Sequence, residues 1–463
     1  MSDIDVSRLP LEYWLCAIFL VVVCAFAVRQ RRELWAPPFI AVLGTIAAWY
    51  MVEPLYFEGF FSDFTYTAGS TAYQCLLIFL IAFTIATPGV VKWMRPRDPS
   101  ASASPLASLH PEKVVPVIVV LWVCLLAFGV WRLDGDVVAA LFPVQSRSGG
   151  ANMWARGAAD DAGASGFIVS AAAYLYVLVL ALFGLLLPLT HKFVTRSLLV
   201  TCIVIAWPYA ILQGSRNITL AVITPALAAY LLIGRGKPAV KAIVAVSAFF
   251  ALDFLMRAII EFRDFGFEAA TLGDAQYARH LGLNMASELI YISGFVQDGM
   301  IDISYGWGYL SELLNMVPRA IWSNKPLLGI EYAVVRGFGG GAADIGVVAT
   351  LSTGIVGQGV LNFGIWLGPV AAALLMSCWV GILARLRAQG GAGRTALFLI
   401  GLGLTFNLGR DITLLVLFPF VFGYIGVRIL EARERRKSAR ERRESHGLLT
   451  ALRSLAARAP TPR

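Results

Sequence analysis

The chain has 463 residues, of which 58% are hydrophobic and only 14% charged, and its mean hydropathy is +0.72. Soluble domains carry about 25% charged residues, so this composition excludes a soluble globular protein and indicates a polytopic, all-α membrane protein. The net charge of +9 does not indicate a nucleic-acid partner, because the position of the charges matters more than their sum in a membrane protein. All six cysteines fall within apolar runs and have no CxxC or His neighbour, which indicates packing residues rather than a disulfide framework or a zinc site.

Apolar runs of roughly 17–25 residues predict membrane-spanning helices. The eleven predicted spans are 11–28, 35–52, 71–91, 114–131, 166–190, 197–212, 218–233, 239–258, 364–384, 395–409 and 412–429. Most lysines and arginines lie in alternate loops, at 29–32, 92–113, 192–196, 235–241 and 385–394, and in the tail from 428. By the positive-inside rule, the amino terminus is therefore outside and the carboxyl terminus inside.

The region between Asp344 and Arg385 contains no charged residue. Two spans here would place the basic residues 385–394 on the outer side, so we predict one span over 364–384. A re-entrant or interfacial helix at 346–363 would lead into it, and its glycines suit close helix packing or a broken helix.

The predicted organisation is one transmembrane domain over 1–430 and a basic tail over 431–463. A large outer loop, at about 259–345, is the one segment long enough to form a lid or a site. Within that loop, apolar residues recur at helical spacing from Leu281 to Phe295, which predicts an amphipathic helix.

The inner loops contain neither a P-loop nor a GxGxxG motif, which argues against a nucleotide-binding enzyme. On the outer side, QGSRN at 213–217 separates the sixth and seventh spans. Asn217 can cap the seventh helix, Gly214 lets the backbone approach a ligand, and the Arg216 guanidinium matches a phosphate. The alternative is a lipid-headgroup anchor or a simple turn.

A second outer segment, YGWGYLSELLNMVPRAIWSNKP, covers 305–326. Pro318 and Pro326 stiffen the backbone, so Arg319 and Lys325 are held in place and suit a pyrophosphate on a lipid. Trp322 suits either a sugar face or the interfacial aromatic belt. An ion pair with an acidic loop residue is the alternative for Arg319.

Two more outer arginines are candidates to assist at the same anion. Arg336 precedes the glycine-rich run 337–341, and Arg410 lies in the motif NLGRD at the end of a span. Arg410 could instead pair with the adjacent Asp411, and the sequence leaves both possibilities open.

These motifs resemble the bacterial O-antigen polymerases, the oligosaccharide repeat unit polymerases of the Wzy type. The resemblance rests on GSRN at 214–217, VPRAIWSNKP at 317–326 and VGQGVLNFGIWLG at 356–368, and covers roughly 210–370. The family often has Glu at the position of Gln358. The resemblance implies a fold related to GT-C-type glycosyltransferases, with a periplasmic amino terminus and a cytoplasmic carboxyl terminus in the bacterial inner membrane.

It also implies an enzyme that polymerises undecaprenyl-pyrophosphate-linked oligosaccharide repeat units into O-antigen or exopolysaccharide. Its partners would be this lipid-linked oligosaccharide and membrane lipids, with a chain-length regulator and a flippase as candidates, and it would need no nucleic acid, metal or cofactor. We expect arginines to neutralise the leaving pyrophosphate in place of a metal. The expected catalytic residues are Arg216, Arg319 and Glu331, and the expected substrate-binding residues are Lys325, Arg336, Arg410, Trp322, Gly214 and Asn217.

A general base on the acceptor hydroxyl would assist the transfer. The candidates are His280, Glu288, Asp302, Glu331 and Asp344, and Glu331 is favoured because it lies close to the Pro-Arg…Lys-Pro segment. Three other functions stay open, namely an O-antigen ligase-like glycosyltransferase, a lipid-oligosaccharide transporter or flippase, and a structural scaffold in a polysaccharide assembly complex, which would need no clustered arginines. Transporters usually have repeated halves and polar residues at mid-membrane, whereas the predicted spans here are almost free of charge at their centres.

Overall fold

The structure is a computed structural model, which describes residues 9–56, 60, 64–95, 111–143, 153–154, 164–213, 215–265, 285–314, 317, 322, 330–337, 351–410, 418–436 and 440. Every regular element in these ranges is helical, which confirms the predicted all-α class. The first eight helices are α1 Leu11–Arg29, α2 Ala36–Ile46, α3 Glu53–Tyr56, α4 Tyr66–Met94, α5 Pro111–Arg132, α6 Val137–Leu141, α7 Ala164–Leu186 and α8 Phe193–Leu212. The next seven are α9 Arg216–Leu232, α10 Pro238–Phe265, α11 Met285–Gln297, α12 Trp307–Leu313, α13 Ile330–Val335, α14 Ile355–Gln389 and α15 Ala392–Leu408. A last helix, α16, covers 418–436, and a π-helical turn over Ala47–Met51 extends α2.

Seven of the described helices are long and apolar enough to cross a membrane, so the chain is a multi-pass membrane protein. They cover Leu11–Arg29, Tyr66–Met94, Pro111–Arg132, Gly166–Leu189, Phe193–Leu212, Pro238–Met256 and Ile355–Gln389. Three shorter apolar helices cover Ala36–Met51, Arg216–Leu232 and Ala392–Leu408. Each predicted span overlaps one of these helices or α16, and the number of crossings, eleven, stays a prediction.

Large apolar side chains remain exposed along the outer surface of the bundle. In α10, only 6% of the apolar stretch within Pro238–Met256 is buried inside the protein. Ile18, Val21, Ile85, Val117, Val204 and Phe254 are each more than half exposed. In water such a surface would cost free energy, whereas in lipid it is the expected environment of a spanning helix.

Small residues let the inner helices approach closely. Where α9 crosses α15, a Cβ atom on Gly403 would lie 2.4 Å from the Pro225 nitrogen. The Thr224 hydroxyl donates to the Gly403 carbonyl oxygen at 2.9 Å across the same crossing. Close backbone packing with an interhelical hydrogen bond is how helices associate when lipid surrounds them.

Three polar side chains near the end of α2 bind the end of α15. Thr45, Trp49 and Tyr50 each donate to a main-chain carbonyl oxygen there. The acceptors are Thr405 at 3.4 Å, Phe406 at 2.8 Å and Gly409 at 3.4 Å. These bonds tie an early helix to one of the last helices of the chain.

At the other end of the bundle, α15 binds α16 through a buried ion pair. Arg394 Nε lies 2.7 Å from Glu431 Oε1, and Arg394 Nη2 donates to Glu431 Oε2 at 2.8 Å. The two side chains are only 5% and 2% exposed. Glu431 is the first residue of the predicted tail, and α16 continues through it to residue 436.

A helix does precede the predicted span 364–384, but it begins at Ile355, and residues 351–354 of the predicted helix 346–363 are not helical. The chain folds back sharply between this helix and the span, and the re-entrant or interfacial placement of the helix stays a prediction. Within α14, Gly364 has φ 77° and ψ 177°, a conformation that glycine adopts readily and L-residues avoid. A Cβ atom on Gly359 would lie 2.3 Å from the Gly368 carbonyl oxygen. These residues would be about 13 Å apart in one straight helix, so the two halves of α14 form a helical hairpin.

We expect Gly359→Ala to destabilise the protein by about 1–3 kcal/mol, because the added methyl group would overlap backbone on the other arm of the hairpin. Gly44→Ala in α2 is the matched control, since nothing lies within 4 Å of the added atom. Denaturant unfolding of both variants in detergent measures the difference. Equal stability of the two variants would contradict the close contact.

Candidate functional site

The two motifs around Arg216 and Arg410, both predicted to be on the outer side, lie side by side in the structure. α9 begins at Arg216, and α15 ends two residues before Arg410. Arg410 Nη1 donates to Asn217 Oδ1 at 2.8 Å, and Asn407 Nδ2 donates to the main-chain oxygen of Asn217 at 3.0 Å. QGSRN and NLGRD, which are 190 residues apart at this contact, therefore form one polar site.

Arg410 also reaches the segment that leads into α14. Its Nε donates to the Ser352 hydroxyl oxygen at 2.5 Å. Close by, the Ile355 main-chain N–H donates to the Gly409 carbonyl oxygen at 3.3 Å. The guanidinium is thus fixed between the start of α9, the end of α15 and the approach to α14. We call Asn217, Ser352, Asn407 and Arg410, together with Arg216, the arginine site.

The prediction that Asn217 caps the seventh span is wrong. Ser215 occupies the N-cap position of α9, and its side chain makes no capping bond. Asn217 is the second residue of the helix, and its side-chain oxygen binds Arg410 instead. Arg216 is the first residue and is partly buried, so its charge lies at the amino-terminal end of α9, where the helix dipole attracts anions.

Tyr50 connects the end of α15 at the arginine site to the first turn of α14. Its hydroxyl donates to the Gly409 carbonyl oxygen at 3.4 Å and accepts the Val356 main-chain N–H at 3.2 Å. Gly354 packs against this hydroxyl with φ +69°, and a Cβ atom there would lie 2.2 Å from the Tyr50 oxygen and 3.3 Å from Met285 Sδ. A side chain at Gly354 would be strained at this φ and would displace the Tyr50 hydroxyl.

A buried glutamate on α3 holds the start of α11. Glu53 is 4% exposed, and its two carboxylate oxygens accept both donors of Ser287. The Ser287 hydroxyl donates to Oε1 at 2.9 Å, and the Ser287 main-chain N–H donates to Oε2 at 3.1 Å. Burial raises the pKa of Glu53 to about 7, and the charge of the nearby Glu288 acts in the same direction.

A second buried glutamate binds α13. Glu288, also 4% exposed, accepts a short hydrogen bond from the Tyr332 hydroxyl and lies 3.8 Å from Arg336 Nε. The Arg336 guanidinium carbon is 3.3 Å from the centre of the Tyr291 ring. Burial and the Glu288 charge raise the pKa of Tyr332 well above its usual value, so its phenol stays protonated and donates to Glu288. Arg336 therefore balances a carboxylate and stacks on an aromatic ring, while its predicted role at a pyrophosphate stays a prediction.

The remaining predicted site residues are not brought together by the contacts described. Glu331 is exposed on α13, next to Tyr332, and Trp322 is partly buried. Asp302 is exposed. The other predicted residues lie outside the described ranges, namely Gly214, Arg319, Lys325, His280 and Asp344.

Asn362, in the motif VGQGVLNFGIWLG, binds the start of the 305–326 segment. Asn362, which is 2% exposed, lies on the first arm of the α14 hairpin. Its Oδ1 accepts the Ser304 hydroxyl at 2.9 Å and the Tyr309 main-chain N–H at 3.3 Å. Its Nδ2 donates to the Gln358 carbonyl oxygen at 2.7 Å. VGQGVLNFGIWLG thereby holds the first residues of the 305–326 segment against the bundle.

Sequence reasoning missed four residues that organise this end of the protein. Asn362 and Asn407 are amide side chains within predominantly apolar helices, which is a signal that could have identified them. Glu53 directly follows an apolar span, and Ser352 precedes α14, but neither position differs from an ordinary loop residue in sequence.

Within the described part of the chain, no three His, Cys, Asp or Glu side chains come together in an arrangement that could hold a metal ion. The polar end of the bundle can bind an anion at its arginines and can take up a proton at its buried carboxylates. Comparison of the chain with family models, with curated proteins and with solved structures finds no match.

Proposed function

We propose that this chain is a metal-independent glycosyltransferase of the bacterial inner membrane. It would polymerise undecaprenyl-pyrophosphate-linked oligosaccharide repeat units into a long polysaccharide at the periplasmic face. The proposal rests on the three motifs that resemble the Wzy-type polymerases. The observation that supports it best is the contact between Asn217 and Arg410, which places two guanidinium-bearing motifs at the same end of the bundle.

The reaction transfers a glycan from one lipid pyrophosphate to a sugar hydroxyl on a second lipid-linked unit. The bond between the anomeric carbon and the pyrophosphate oxygen breaks, and the leaving pyrophosphate gains negative charge. Arg216 at the amino terminus of α9 and Arg410 beside it would stabilise that charge. Arg319, Lys325 and Arg336 would assist, and Trp322 would contact a sugar ring.

The acceptor hydroxyl loses its proton during the transfer, and Glu331 is the favoured base from sequence. Its exposed position on α13 leaves its carboxylate accessible to a substrate. A chain-length regulator and a flippase would be the partners of such a polymerase.

Purified protein reconstituted in proteoliposomes with a lipid-linked repeat unit tests the proposal. We expect the wild type to give a ladder of products on a gel, and we expect Arg319→Ala and Arg216→Ala to abolish it. Arg385→Ala is the matched control, because Arg385 is an exposed arginine near the carboxyl-terminal end of α14, on the predicted inner side, and should leave the ladder unchanged.

Three other outcomes would overturn the proposal or its site. Movement of the lipid-linked sugar across the bilayer without a ladder would indicate a transporter. Transfer of a finished glycan to lipid A core, without polymerisation, would indicate a ligase. A ladder that persists in both arginine variants would retain the polymerase and exclude these residues from its site.

A further inference from the structure

Three outer elements meet around two buried glutamates. α3 contributes Glu53, α11 contributes Ser287 and Glu288, and α13 contributes Tyr332 and Arg336. Glu53 is the buried hydrogen-bond partner of Ser287 on α11, and Glu288 is the buried partner of Tyr332 on α13. The cluster thus joins α11 and α13 to α3, which follows the π-helical turn that extends α2.

Glu53, which is far from α11 in the sequence, accepts a hydrogen bond from one of the first main-chain N–H groups of α11. The first main-chain N–H groups of a helix have no partner inside that helix. Here the carboxylate of a residue 234 positions earlier accepts the Ser287 N–H and the Ser287 hydroxyl. Docking against α3 therefore supplies a buried partner for one of the first N–H groups of α11.

Of the two buried carboxylates, Glu288 lies beside a cation, whereas the described hydrogen bonds of Glu53 come from the uncharged Ser287. Glu288 faces the Arg336 cation and the Tyr332 hydroxyl. The titratable group that acts on the Glu53 carboxyl is Glu288 from α11, and the Glu53 charge in turn acts on Tyr73 of α4. Ionised Glu53 would thus place a second negative charge in a buried cluster that contains a single described cation, Arg336.

We propose that Glu53 is a proton-sensitive clasp, which holds α11, and through it α13, tightly against the bundle when protonated and loosens them when ionised. A protonated carboxyl group can still bind Ser287, because its carbonyl oxygen accepts the N–H and its hydroxyl group donates to the serine oxygen. Protonation therefore removes the charge without removing the contact.

The direction in which the docking of α11 depends on pH follows from the raised pKa of Glu53. The Glu53 pKa rises from an ordinary 4.5 to about 7 in the docked state, so the docked state binds the proton more tightly than an undocked one. The contribution of Glu53 to docking is full below about pH 4.5 and is lost as the pH rises through about 7. Glu288 transmits the change to α13 through Tyr332 and Arg336. This regulation goes beyond the proposed reaction and does not depend on it.

Hydrogen–deuterium exchange of the full chain in lipid nanodiscs tests the clasp. Exchange of the α11 and α13 amides is measured between pH 5.5 and 8.5 and corrected for the intrinsic rate at each pH. We expect their protection to fall several-fold as the pH rises, by at most about tenfold per pH unit, the limit for one proton. Glu53→Gln, which mimics the protonated carboxyl, should keep the acid level of protection throughout.

Asp298→Asn is the matched control, because Asp298 is an exposed carboxylate just after α11 and its loss should leave the pH dependence unchanged. Ser287→Ala provides a second test if Glu53→Gln does not fold. The hydrogen bond from the serine hydroxyl lowers the Glu53 pKa. Its removal should therefore move the pH midpoint of the loss of amide protection to a higher value. Protection independent of pH in the wild type, pH dependence that survives Glu53→Gln, or an unmoved midpoint in Ser287→Ala would each overturn the clasp.

Discussion

Arg410→Ala is expected to lower the initial rate of polymer formation by about 10²–10³-fold, the usual loss when one preorganised donor is removed from an active site. Arg410 binds Asn217 and Ser352 at the same time, so the variant loses a positive charge and a link between three chain segments. The rate is measured as the appearance of the product ladder in proteoliposomes.

Arg410→Lys separates charge from geometry at this position. Lysine keeps the charge, but it lacks the planar group that bonds to Asn217 and Ser352 together. We therefore expect it to recover only a small part of the activity. Full recovery would assign Arg410 a purely electrostatic role, and an Arg410→Ala rate equal to that of the Arg385→Ala control would exclude it from the site.

Arg394→Ala is expected to destabilise the protein by about 3–5 kcal/mol, because it leaves the buried Glu431 carboxylate without its cation. The pair is almost completely buried and bonded through two separate nitrogen–oxygen contacts. Unfolding in denaturant, in detergent, measures the loss against Arg385→Ala, whose side chain is exposed.

The double variant Arg394→Met/Glu431→Met is expected to recover most of this stability. Replacement of a whole buried ion pair by apolar side chains is often neutral, whereas the loss of one partner is not. A double variant as unstable as Arg394→Ala would show that packing at this position, rather than the uncompensated charge, causes the loss.

The positions of the long apolar helices were predictable because the length of an apolar run indicates whether a helix can span a membrane. The predicted spans 114–131 and 197–212 lie within α5 and α8, and the glycines before residue 364 were interpreted as a sign of close packing or a broken helix, which matches the break at Gly364. These features are local, so a window of the sequence contains all the information that they require.

The contacts of the candidate site were less predictable because they join distant residues. Asn217 and Arg410 were each singled out, but nothing in either motif specifies that one side chain binds the other. Glu53 was passed over because its partner, Ser287, is 234 residues away. Arg336 was predicted to bind phosphate, and only the fold shows the carboxylate beside it.

The bonds from α2 to α15 also constrain the order in which the protein is assembled. Thr45, Trp49 and Tyr50 leave the ribosome long before their acceptors, which are 357 to 360 residues later in the chain. The lipid interior offers no replacement partner for such donors. These donors must therefore bind water or other early residues until α15 has been made, and a chain cut short before residue 405 would never gain the acceptors that hold the end of α2 in place.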